Sequence, residues 1–511
     1  MRRPDSVTDK LWRYRGVLLV ACIPLILIAA VVLLVPRSLP PAADKTHSLK
    51  EFSHQAMAEG GSDSSSSGSG SGGSPVSRYA IVLDAGSTGS RVHVFRFEQR
   101  GTDLKLISDT FEQLKPGLSS FAEEPHLAAA SLLPLLKIAE ATVPKELHAT
   151  TPISLKATAG LRLLPGAQSD DILHAVRKQL AGLAFHVAPD AVGVLDEGWT
   201  RVRARAGLAA AAGSETSPHL LALPLSPHRV TSSSPAGKDE GAFAWLTLNY
   251  LLGRLGSDPD ATVAAIDLGG GSVQEAFAVP AGSTAAARQP YFTTLRGGGR
   301  IYSVYVHSYL GFGLMAARAK VLEEGAGLPG GHPCIRGADV TYTYGGKTHD
   351  AVAATGAVEP GACAAVAFKA MKHSLECGSP QAECSFNGAW RGAASNRAYY
   401  VSSYFWDRAT DVGLITDPDA VVWTTTPEEF LTKAEHVCGS DAAALAAAHT
   451  GVKPDQLPFL CLDLSFAHTL LTQGFDLAHG GTITIVKQVL YDGQKIEAAW
   501  PLGAAINDLS V

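Results

Sequence analysis

The sequence has no excess of positive charge: 42 Lys and Arg residues stand against 48 Asp and Glu residues, for a formal net charge of −6. A protein whose main task is to bind nucleic acid normally carries a strongly basic surface, so we expect no nucleic-acid partner. Charged residues make up only 18% of the chain, below the usual share of about 25%. The sequon N-x-[ST] is also absent, which predicts that the body carries no N-glycan.

The seven cysteines include no C-x-x-C pair, which argues against a zinc site. Cys22 lies in an apolar run near the N-terminus, whereas the other six cysteines fall in the C-terminal half of the chain. An even number of cysteines outside the cytosol suggests disulfides, whose pairing the spacing alone leaves open. Buried free thiols are the alternative interpretation.

The N-terminal region contains a long apolar run without charge, VLLVACIPLILIAAVVLLV at residues 17–35. A helix needs about 20 apolar residues to cross a bilayer, so the run predicts a transmembrane helix. Five basic residues within 1–16 precede it, which predicts that this tail is cytosolic. A cleaved signal peptide is the alternative, although its apolar part is usually shorter. Residues 36–77 include the tract GGSDSSSSGSGSGGSP, which is typical of a flexible linker.

The remaining body is long and apolar enough, with 46% hydrophobic residues in the whole chain, to bury more than one core. Two of its segments share one pattern, an apolar run that ends in D-x-G and continues as an alternating strand: YAIVLDAGSTGSRVHVFRF and AIDLGGGSVQEAFAV. Each pattern predicts a β-hairpin with a tight glycine turn. The aspartates Asp84 and Asp267 are 183 positions apart, and a repeat at this spacing predicts two similar lobes.

Glycine-rich turns of this kind let backbone N–H groups approach phosphate oxygens closely. A carboxylate at the end of the preceding strand can hold a hydrated divalent cation. Either turn alone could be a plain hairpin, but the repeat favours two loops that clamp one polyphosphate across a cleft.

Two further segments carry candidate site residues. LKATAGLR contains the hydroxyl of Thr158 and the guanidinium of Arg162, which suits bidentate phosphate binding, although an ordinary strand-to-helix turn is the alternative. Asp239 and Glu240 open the predicted helix GAFAWLTLNYLLG. Acidic residues at this position can also be simple partners of the helix dipole.

The motifs DAGSTGSR, KATAGLR, DEGAFAW, DLGGGSVQ and LCLDL, followed by WPLG, stand in the order of the conserved regions of apyrases. The chain therefore resembles the apyrase, or nucleoside triphosphate diphosphohydrolase, family, and is most similar to membrane-anchored plant apyrases that resemble Golgi nucleoside diphosphatases. The resemblance covers residues 78–511 closely, apart from one interruption. It implies an α/β fold with two actin-like (ribonuclease H-like) lobes. It also implies hydrolysis of terminal phosphates of nucleoside tri- or diphosphates with Ca²⁺ or Mg²⁺.

The resemblance assigns a role to each site residue. Glu240 matches the general base, and Ser272 and Gln274 match the pair that positions the attacking water. Asp84, Asp267 and Thr158 would hold the metal through its water shell. The implied phosphate-binding set is Asp84, Ala85, Gly86, Ser87, Thr88, Gly89, Ser90, Arg91, Thr158, Arg162, Asp267, Leu268, Gly269, Gly270 and Gly271.

The same resemblance suggests a nucleobase site and a disulfide pattern. YYVSSYFWDR is similar to the family segment that lines the base, so Phe405 and Trp406 are candidates to stack on it; core packing is the equally weighted alternative. The implied disulfides are Cys334–Cys363, Cys377–Cys384 and Cys438–Cys461.

Two other function classes deserve comparison. Actin-like phosphatases of the exopolyphosphatase type have a very similar glycine loop, and a nucleotide-binding membrane protein without catalysis could keep the same fold. The predicted anchor, the six C-terminal cysteines and the motifs DEGAFAW and LCLDL argue against the first. The presence of every expected catalytic residue argues against the second.

Residues 198–237 interrupt the resemblance where the family normally has only a few residues. They show no lasting hydrophobic period and could be a surface loop. We favour translated intron sequence, because deleting the segment joins VLDEG to KDEGAFAW; sequencing the spliced transcript distinguishes the two. The predicted body thus comprises an N-terminal lobe (78–262, including this insert), a C-terminal lobe (263–485) and a segment (486–511) that returns to the N-terminal lobe.

These features together predict a single-pass type II membrane protein whose body lies in the lumen or outside the cell, with the Golgi favoured over the cell surface. The basic residues before the span could also bind calmodulin. They are explained more simply as determinants of topology.

Overall fold

A computed structural model describes residues 75–86, 89–162, 164–195, 238–280, 290–356, 358–380, 383–392 and 397–510. They lie within one compact unit that begins at Gly72. The predicted tail and transmembrane helix, the linker up to residue 74 and the whole predicted insert lie outside these ranges. Within the ranges, no helix is long and apolar enough to cross a membrane.

The first sheet is built on the first predicted hairpin. β1 (Val76–Ala85) pairs antiparallel with β2 (Ser90–Arg100), and β3 (Asp103–Leu114) continues the antiparallel pairing beyond β2. On the other side, β4 (Ile153–Ala157) runs parallel to β1, and β5 (Val192–Val194) runs parallel to β4. The resulting strand order is β3-β2-β1-β4-β5.

The second sheet repeats this arrangement around the second predicted hairpin. Its strands are β6 (Ala264–Leu268), β7 (Ser272–Val279), β8 (Phe292–Gly297), β9 (Arg300–Leu310), β12 (Tyr399–Ser403), β13 (Val422–Thr425) and β14 (Ile483–Val486). The strand order is β13-β14-β12-β6-β7-β9-β8. Within it, β9-β7-β6-β12-β14 matches the order and the strand directions of the entire first sheet. The prediction of a mixed α/β fold with two similar halves is therefore confirmed.

Two small hairpins and the helices complete the described fold. The hairpins pair β10 (Val340–Tyr344) with β11 (Lys347–Ala351), and β15 (Gln488–Tyr491) with β16 (Gln494–Glu497). The helices are α1 (Pro125–Ser131), α2 (Leu133–Thr142), α3 (Ala159–Arg162), α4 (Gln168–Leu180), α5 (Lys238–Leu251), α6 (Leu314–Glu324), α7 (Ala362–Ala370), α8 (Tyr404–Asp411), α9 (Pro427–Gly439), α10 (Ala442–Ala448), α11 (Leu460–Thr469) and α12 (Trp500–Leu509).

Side-chain alternation along the strands distributes the apolar residues among three cores. Ala80 and Val82 of β1 and Ala265 of β6 face a middle core that α5 and α12 fill. The alternate residues of both strands face separate cores on the outer sides of the two sheets. Because strand side chains alternate with a period of two, Asp84 and Asp267 fall on the inner faces, at the carboxyl ends of β1 and β6.

Helix α12 packs against α5 and β1 within the middle core. Thr247 links the two helices, because its Oγ1 donates to the carbonyl of Ala499 at 2.9 Å and accepts from the N–H of Gly503 at 2.8 Å. A Cβ atom at Gly503 would lie only 2.1 Å from the carbonyl oxygen of Phe243. The close approach of α5 and α12 therefore depends on glycine at this position.

The variant Gly503→Ala is expected to unfold more easily, because its methyl group must push α12 away from α5. Overpacking of this kind costs about 1–3 kcal/mol in the free energy of unfolding. Thermal unfolding followed by circular dichroism should show a lower midpoint. Gly193→Ala is the matched control, since a Cβ there would meet no atom of the described residues within 4 Å; equal midpoints for the two variants would contradict the packing argument.

The six cysteines of the C-terminal half form the three disulfides that the resemblance implies. These are Cys334–Cys363, Cys377–Cys384 and Cys438–Cys461. All three lie in the half of the chain that builds the second sheet and its outer core.

Candidate active site

The first glycine loop follows β1 and presents the carboxylate of Asp84. Arg91 stands opposite Asp84 in the hairpin register, and its Nη1 donates to Asp84 Oδ2 at 2.8 Å. The other oxygen, Oδ1, is buried and has no hydrogen-bond partner among the described residues. Burial raises the pKa of Asp84 above its usual value; Arg91 opposes this shift, whereas the nearby Asp267 adds to it. The site thus holds one buried carboxylate oxygen ready to accept a ligand.

The second loop presents Asp267 in the equivalent position at the end of β6. Its carboxylate accepts hydrogen bonds from the hydroxyl groups of Ser402, at 3.1 Å, and Ser403, both at the end of the neighbouring strand β12. Burial raises the pKa of Asp267 above its usual value, and the two serine hydroxyls oppose the shift. A buried carboxylate, Asp84, and a half-buried one, Asp267, therefore lie at the ends of two topologically equivalent strands.

The start of α6 holds the backbone of the second loop. The carbonyl oxygens of residues 269–271 accept hydrogen bonds of 2.7–3.0 Å from the N–H groups of Gly311, Leu314 and Ala316. The first turn of a helix leaves N–H groups without intrahelical partners, so α6 can supply two of these donors. Because the loop carbonyls point toward α6, the loop N–H groups are turned to the opposite side, where phosphate oxygens could bind.

Gly313, immediately before α6, allows this close contact. A Cβ atom there would lie 2.4 Å from the backbone nitrogen of Ser272 and 2.5 Å from the carbonyl carbon of Gly270. Any side chain at this position would displace either the loop or the helix. The position is missed by sequence reasoning, although the short segment GFG at residues 311–313 is the signal that could have indicated it.

Glu240 lies in the first turn of α5 and is part of a buried polar cluster. The Nε2 of Gln274 donates to Glu240 Oε2 at 3.3 Å, to Ser272 Oγ at 2.7 Å and to Ser308 Oγ at 3.1 Å. All four side chains are buried. Glu240 and Ser272 line the cavity described below, whereas Gln274 lies behind them.

Gly241 brings α5 close enough for this cluster to form. A Cβ atom at Gly241 would lie 2.8 Å from Val306 Cγ2 and 3.1 Å from Gln274 Cβ. Helix α5 therefore packs closely against β7 and β9 at Gly241. This close packing places Glu240 beside Gln274. The sequence DEG thus combines an acidic residue with the glycine that positions it.

A cavity of about 350 Å³ opens between the two loops. Predicted site residues from both halves line it: Asp84, Gly86, Arg91, Thr158, Glu240, Asp267, Gly269, Gly270, Gly271, Ser272 and Trp406. Residues from β12, from the C-terminal hairpin and from the start of α12 complete the wall. Seven separate segments of the chain thus meet at this cavity.

Some predicted residues lie elsewhere. Ala85, Ser90 and Leu268 are buried strand residues that do not line the cavity, and Gly89 packs against the carbonyl of Leu114. Ser87 and Thr88 lie outside the described residues, as does the side chain of Arg162.

The two aromatic candidates for stacking on the nucleobase, Phe405 and Trp406, lie in different environments. Phe405 is fully buried and packs edge-on against Phe430, with ring centroids 6.1 Å apart. This packing agrees with the alternative that Phe405 is a core residue. We therefore do not assign Phe405 to stacking on the nucleobase. Trp406 is 7% exposed and lines the cavity.

The LCLDL segment supports the helix that carries Trp406. Asp463 on α11 is fully buried and accepts hydrogen bonds from Arg318 Nε at 2.8 Å and Nη2 at 2.6 Å. It also accepts one from Arg408 Nη1 at 2.9 Å, and Arg408 lies on α8, two residues after Trp406. These ion pairs thus hold α8 against the outer core of the second sheet.

Sequence reasoning missed several residues that line the cavity. His93 follows Arg91 by two positions on β2, so the two share a face, and its Nδ1 lies 3.0 Å from Asp109 Oδ2. Burial alone would lower the pKa of His93, but the hydrogen bond to Asp109 and the nearby Glu497 raise it overall. Lys487, Asp407 and Glu497 are the other charged residues of the cavity that sequence reasoning missed.

The charges around the cavity fit a divalent cation. Five carboxylates line it, from Asp84, Glu240, Asp267, Asp407 and Glu497, against two permanent cations, Arg91 and Lys487. A polyphosphate would be repelled by such a wall unless a metal ion came with it. Among the described residues, no group of three His, Cys, Asp or Glu residues could enclose a metal directly. Mg²⁺ often keeps several waters and uses only one or two carboxylates plus substrate phosphates, which suits Asp84 and Asp267.

Two repeated sheets, each ending in a glycine-rich loop at a shared, carboxylate-lined cavity, define a protein that can bind phosphate groups between two halves. The chain belongs to the GDA1/CD39 (nucleoside phosphatase) family, whose sequence pattern matches residues 74–201 and 230–511. The prediction of an apyrase-family hydrolase is thereby confirmed. The unmatched residues 202–229 fall inside the predicted insert.

Curated relatives cover nearly the whole chain. It is 38% identical to "Probable apyrase 2" of Oryza sativa subsp. japonica over 516 residues, covering 99% of this chain and 97% of the relative. It is also 38% identical to "Apyrase 1" of Arabidopsis thaliana, covering 99% and 98%, respectively. The "Guanosine-diphosphatase" of Schizosaccharomyces pombe is 33% identical, with 85% of this chain and 74% of the relative covered.

A solved structure shares the fold. The nucleoside triphosphate hydrolase structure from Neospora caninum superposes with a TM-score of 0.57 at 15% identity, covering 85% of this chain and 92% of that chain.

Proposed function

We propose that the protein hydrolyses the terminal phosphate of nucleoside triphosphates, nucleoside diphosphates or both, with nucleoside monophosphate and phosphate as final products. The observation that carries this proposal is the meeting of both glycine loops with Glu240 at one cavity. The family and the relatives named apyrase support it. The repeated strand order supports the further inference that the two lobes are actin-like (ribonuclease H-like).

In the proposed reaction, Glu240 accepts a proton from a water molecule as the water oxygen bonds to the terminal phosphorus. The bond from that phosphorus to the bridging oxygen breaks, and the shortened nucleotide leaves with the bridging oxygen. Ser272 contributes a hydroxyl beside the water, and Gln274 holds both Ser272 and Glu240 by hydrogen bonds. Phosphoryl transfer depends mainly on such positioning and on charge neutralisation, so no covalent phosphoenzyme is required.

Backbone N–H groups supply most of the phosphate contacts in this proposal. They belong to residues 87–88 of the first loop and residues 269–271 of the second, with Arg162 as an additional cation; Gly89 and Ser90 are left out because neither lines the cavity. Arg91 acts indirectly, because its guanidinium is already bonded to Asp84 Oδ2 and leaves Oδ1 available. Trp406 is the remaining candidate to stack on the nucleobase.

We assign the cation to Asp84 and Asp267, with Thr158 beside its waters, and infer that it is Ca²⁺ or Mg²⁺. When bound, it would neutralise phosphate charge. Among the described residues, the unpartnered Oδ1 of Asp84 and the surplus of carboxylates support this assignment.

Chelation of divalent cations with excess EDTA is expected to abolish phosphate release, because the acidic cavity would then repel the polyphosphate. Adding back Ca²⁺ or Mg²⁺ in excess should restore the activity. Phosphate release from a panel of nucleoside di- and triphosphates measures both effects and ranks the substrates. Full activity in EDTA would contradict the metal assignment.

We further propose that residues 17–35 anchor the protein as a single-pass type II membrane protein with its body in the lumen or outside the cell. The three disulfides support a compartment outside the cytosol. Protease treatment of sealed microsomes should leave the body intact; its digestion without detergent would contradict this topology.

A further inference from the structure

Three neighbouring parallel strands of the second sheet end at the cavity. β6 carries Asp267 near its end, and β12 ends with Ser402 and Ser403. β14, which runs parallel to β12, ends at Val486, so that Lys487 follows directly at the same edge. Ligands of open α/β sheets bind at the carboxyl ends of such strands.

Lys487 has a fixed backbone and a side chain without an ion-pair partner. Its N–H donates to the carbonyl of Val421 at 2.9 Å, and its carbonyl accepts from the N–H of Ala498 at 3.1 Å. Among the described residues, the side chain forms no ion pair and is exposed. Arg91, the other permanent cation of the cavity, is committed to Asp84. Of the two permanent cations that line the described part of the cavity, Lys487 is therefore the one that a ligand can reach without breaking an existing ion pair.

A second cavity of about 440 Å³ adjoins the first, and the two share Trp406 and Lys487. The glycine loops and Glu240 line only the first cavity. Lys487 thus lies at the junction of the two cavities, and Trp406, the candidate base-stacking residue, lines both cavities with it.

We propose that Lys487 binds the phosphate that stays on the leaving nucleotide, rather than the phosphate that is cleaved. The inference rests on the proposed function, in which the glycine loops hold the terminal phosphate and Trp406 holds the base. Between these ends, the substrate presents its nucleotide-side phosphate. A lysine ammonium is a compact point charge that can neutralise such a group and the charge it gains as the bridging bond breaks.

The test compares two products as ligands of the full-length protein. Isothermal titration calorimetry should show that Lys487→Gln weakens binding of nucleoside monophosphate roughly tenfold or more. Binding of orthophosphate, which occupies the glycine loops, should change less than about twofold on the same energy scale. Lys487→Arg keeps the charge and should recover much of the affinity. Lys453→Gln is the matched control, because it removes the same charge from an exposed site outside both cavities.

Three results would overturn the inference: unchanged monophosphate binding by Lys487→Gln, an equal loss for both products, or the same loss in Lys453→Gln. The second and third results would mean that Lys487 affects binding only through the long-range electrostatic potential of the protein. Failure of the proposed function is a separate result, since it would be seen as absence of phosphate release by the wild-type protein, whereas the ligands are measured by binding alone.

Discussion

The variant Glu240→Gln is expected to lower turnover by about 10²–10⁴-fold, the usual contribution of a general base. The amide has the shape of the carboxylate but cannot accept the proton of the attacking water. Gln274 can donate to the amide oxygen as it does to the carboxylate, and the glycine loops are unchanged, so nucleotide affinity should stay nearly unchanged. Single-turnover phosphate release and equilibrium binding of a nucleotide measure the two quantities separately.

Glu435→Gln provides the control for this experiment, since it makes the same chemical change on the exposed face of α9. It should leave both quantities at the wild-type level. Near-normal turnover by Glu240→Gln would show that another group removes the proton. Loss of nucleotide affinity equal to the loss of turnover would show instead that Glu240 acts in binding.

The variant Gly313→Ala is expected to reduce activity about 10²-fold or more without unfolding the protein. Its Cβ atom would lie 2.4 Å from the nitrogen of Ser272, so the second loop or α6 must move by about an ångström. A displacement of that size at a reacting centre can cost about 10²-fold in rate. Overpacking itself costs only about 1–3 kcal/mol in the free energy of unfolding, which a large domain can tolerate.

The control is Gly439→Ala at the end of α9, where a Cβ would meet no atom within 4 Å in the part of the chain that the structure describes. Circular dichroism should give similar spectra for both variants and the wild type, so that a loss of activity in Gly313→Ala reports the loop. Wild-type activity in Gly313→Ala would contradict the role of α6 in holding the loop carbonyls.

The local elements of the site were predictable because their signals are local. An apolar run ending in D-x-G and followed by an alternating strand predicts a hairpin, and both hairpins form as predicted. The pattern GAFAWLTLNYLLG predicts a helix, and α5 begins at Lys238. The similarity of the two D-x-G motifs also predicted two similar halves, which the matching strand orders bear out.

The features of the site that the sequence did not predict depend on tertiary contacts. The hydrogen bonds between the start of α6 and the second loop join residues about 40 positions apart, and no periodic sequence pattern predicts them. Lys487 reaches the cavity only because β14 lies beside β12 in the sheet, although β12 ends at Ser403 and β14 begins only at Ile483. Single-sequence patterns report which residues form a strand, but seldom which strands become neighbours.

Phe405 and Trp406 illustrate a second limit. They are adjacent in one short helix, so they project in different directions, and composition cannot tell which direction faces the cavity. The orientation follows from packing of Phe405 on Phe430 and from the ion pair between Arg408 and Asp463. Both contacts depend on helices that lie far along the chain.

In the proposed reaction, water attacks the terminal phosphorus of a nucleotide held between the two loops. Hydrolysis of a nucleoside diphosphate by the full-length protein in ¹⁸O-labelled water, with Ca²⁺ or Mg²⁺, tests it directly by mass spectrometry of the products. We expect one labelled oxygen in the released orthophosphate at each turnover and none in the nucleoside monophosphate. Label in the monophosphate, or no release of phosphate from any nucleoside di- or triphosphate, would contradict the proposed reaction.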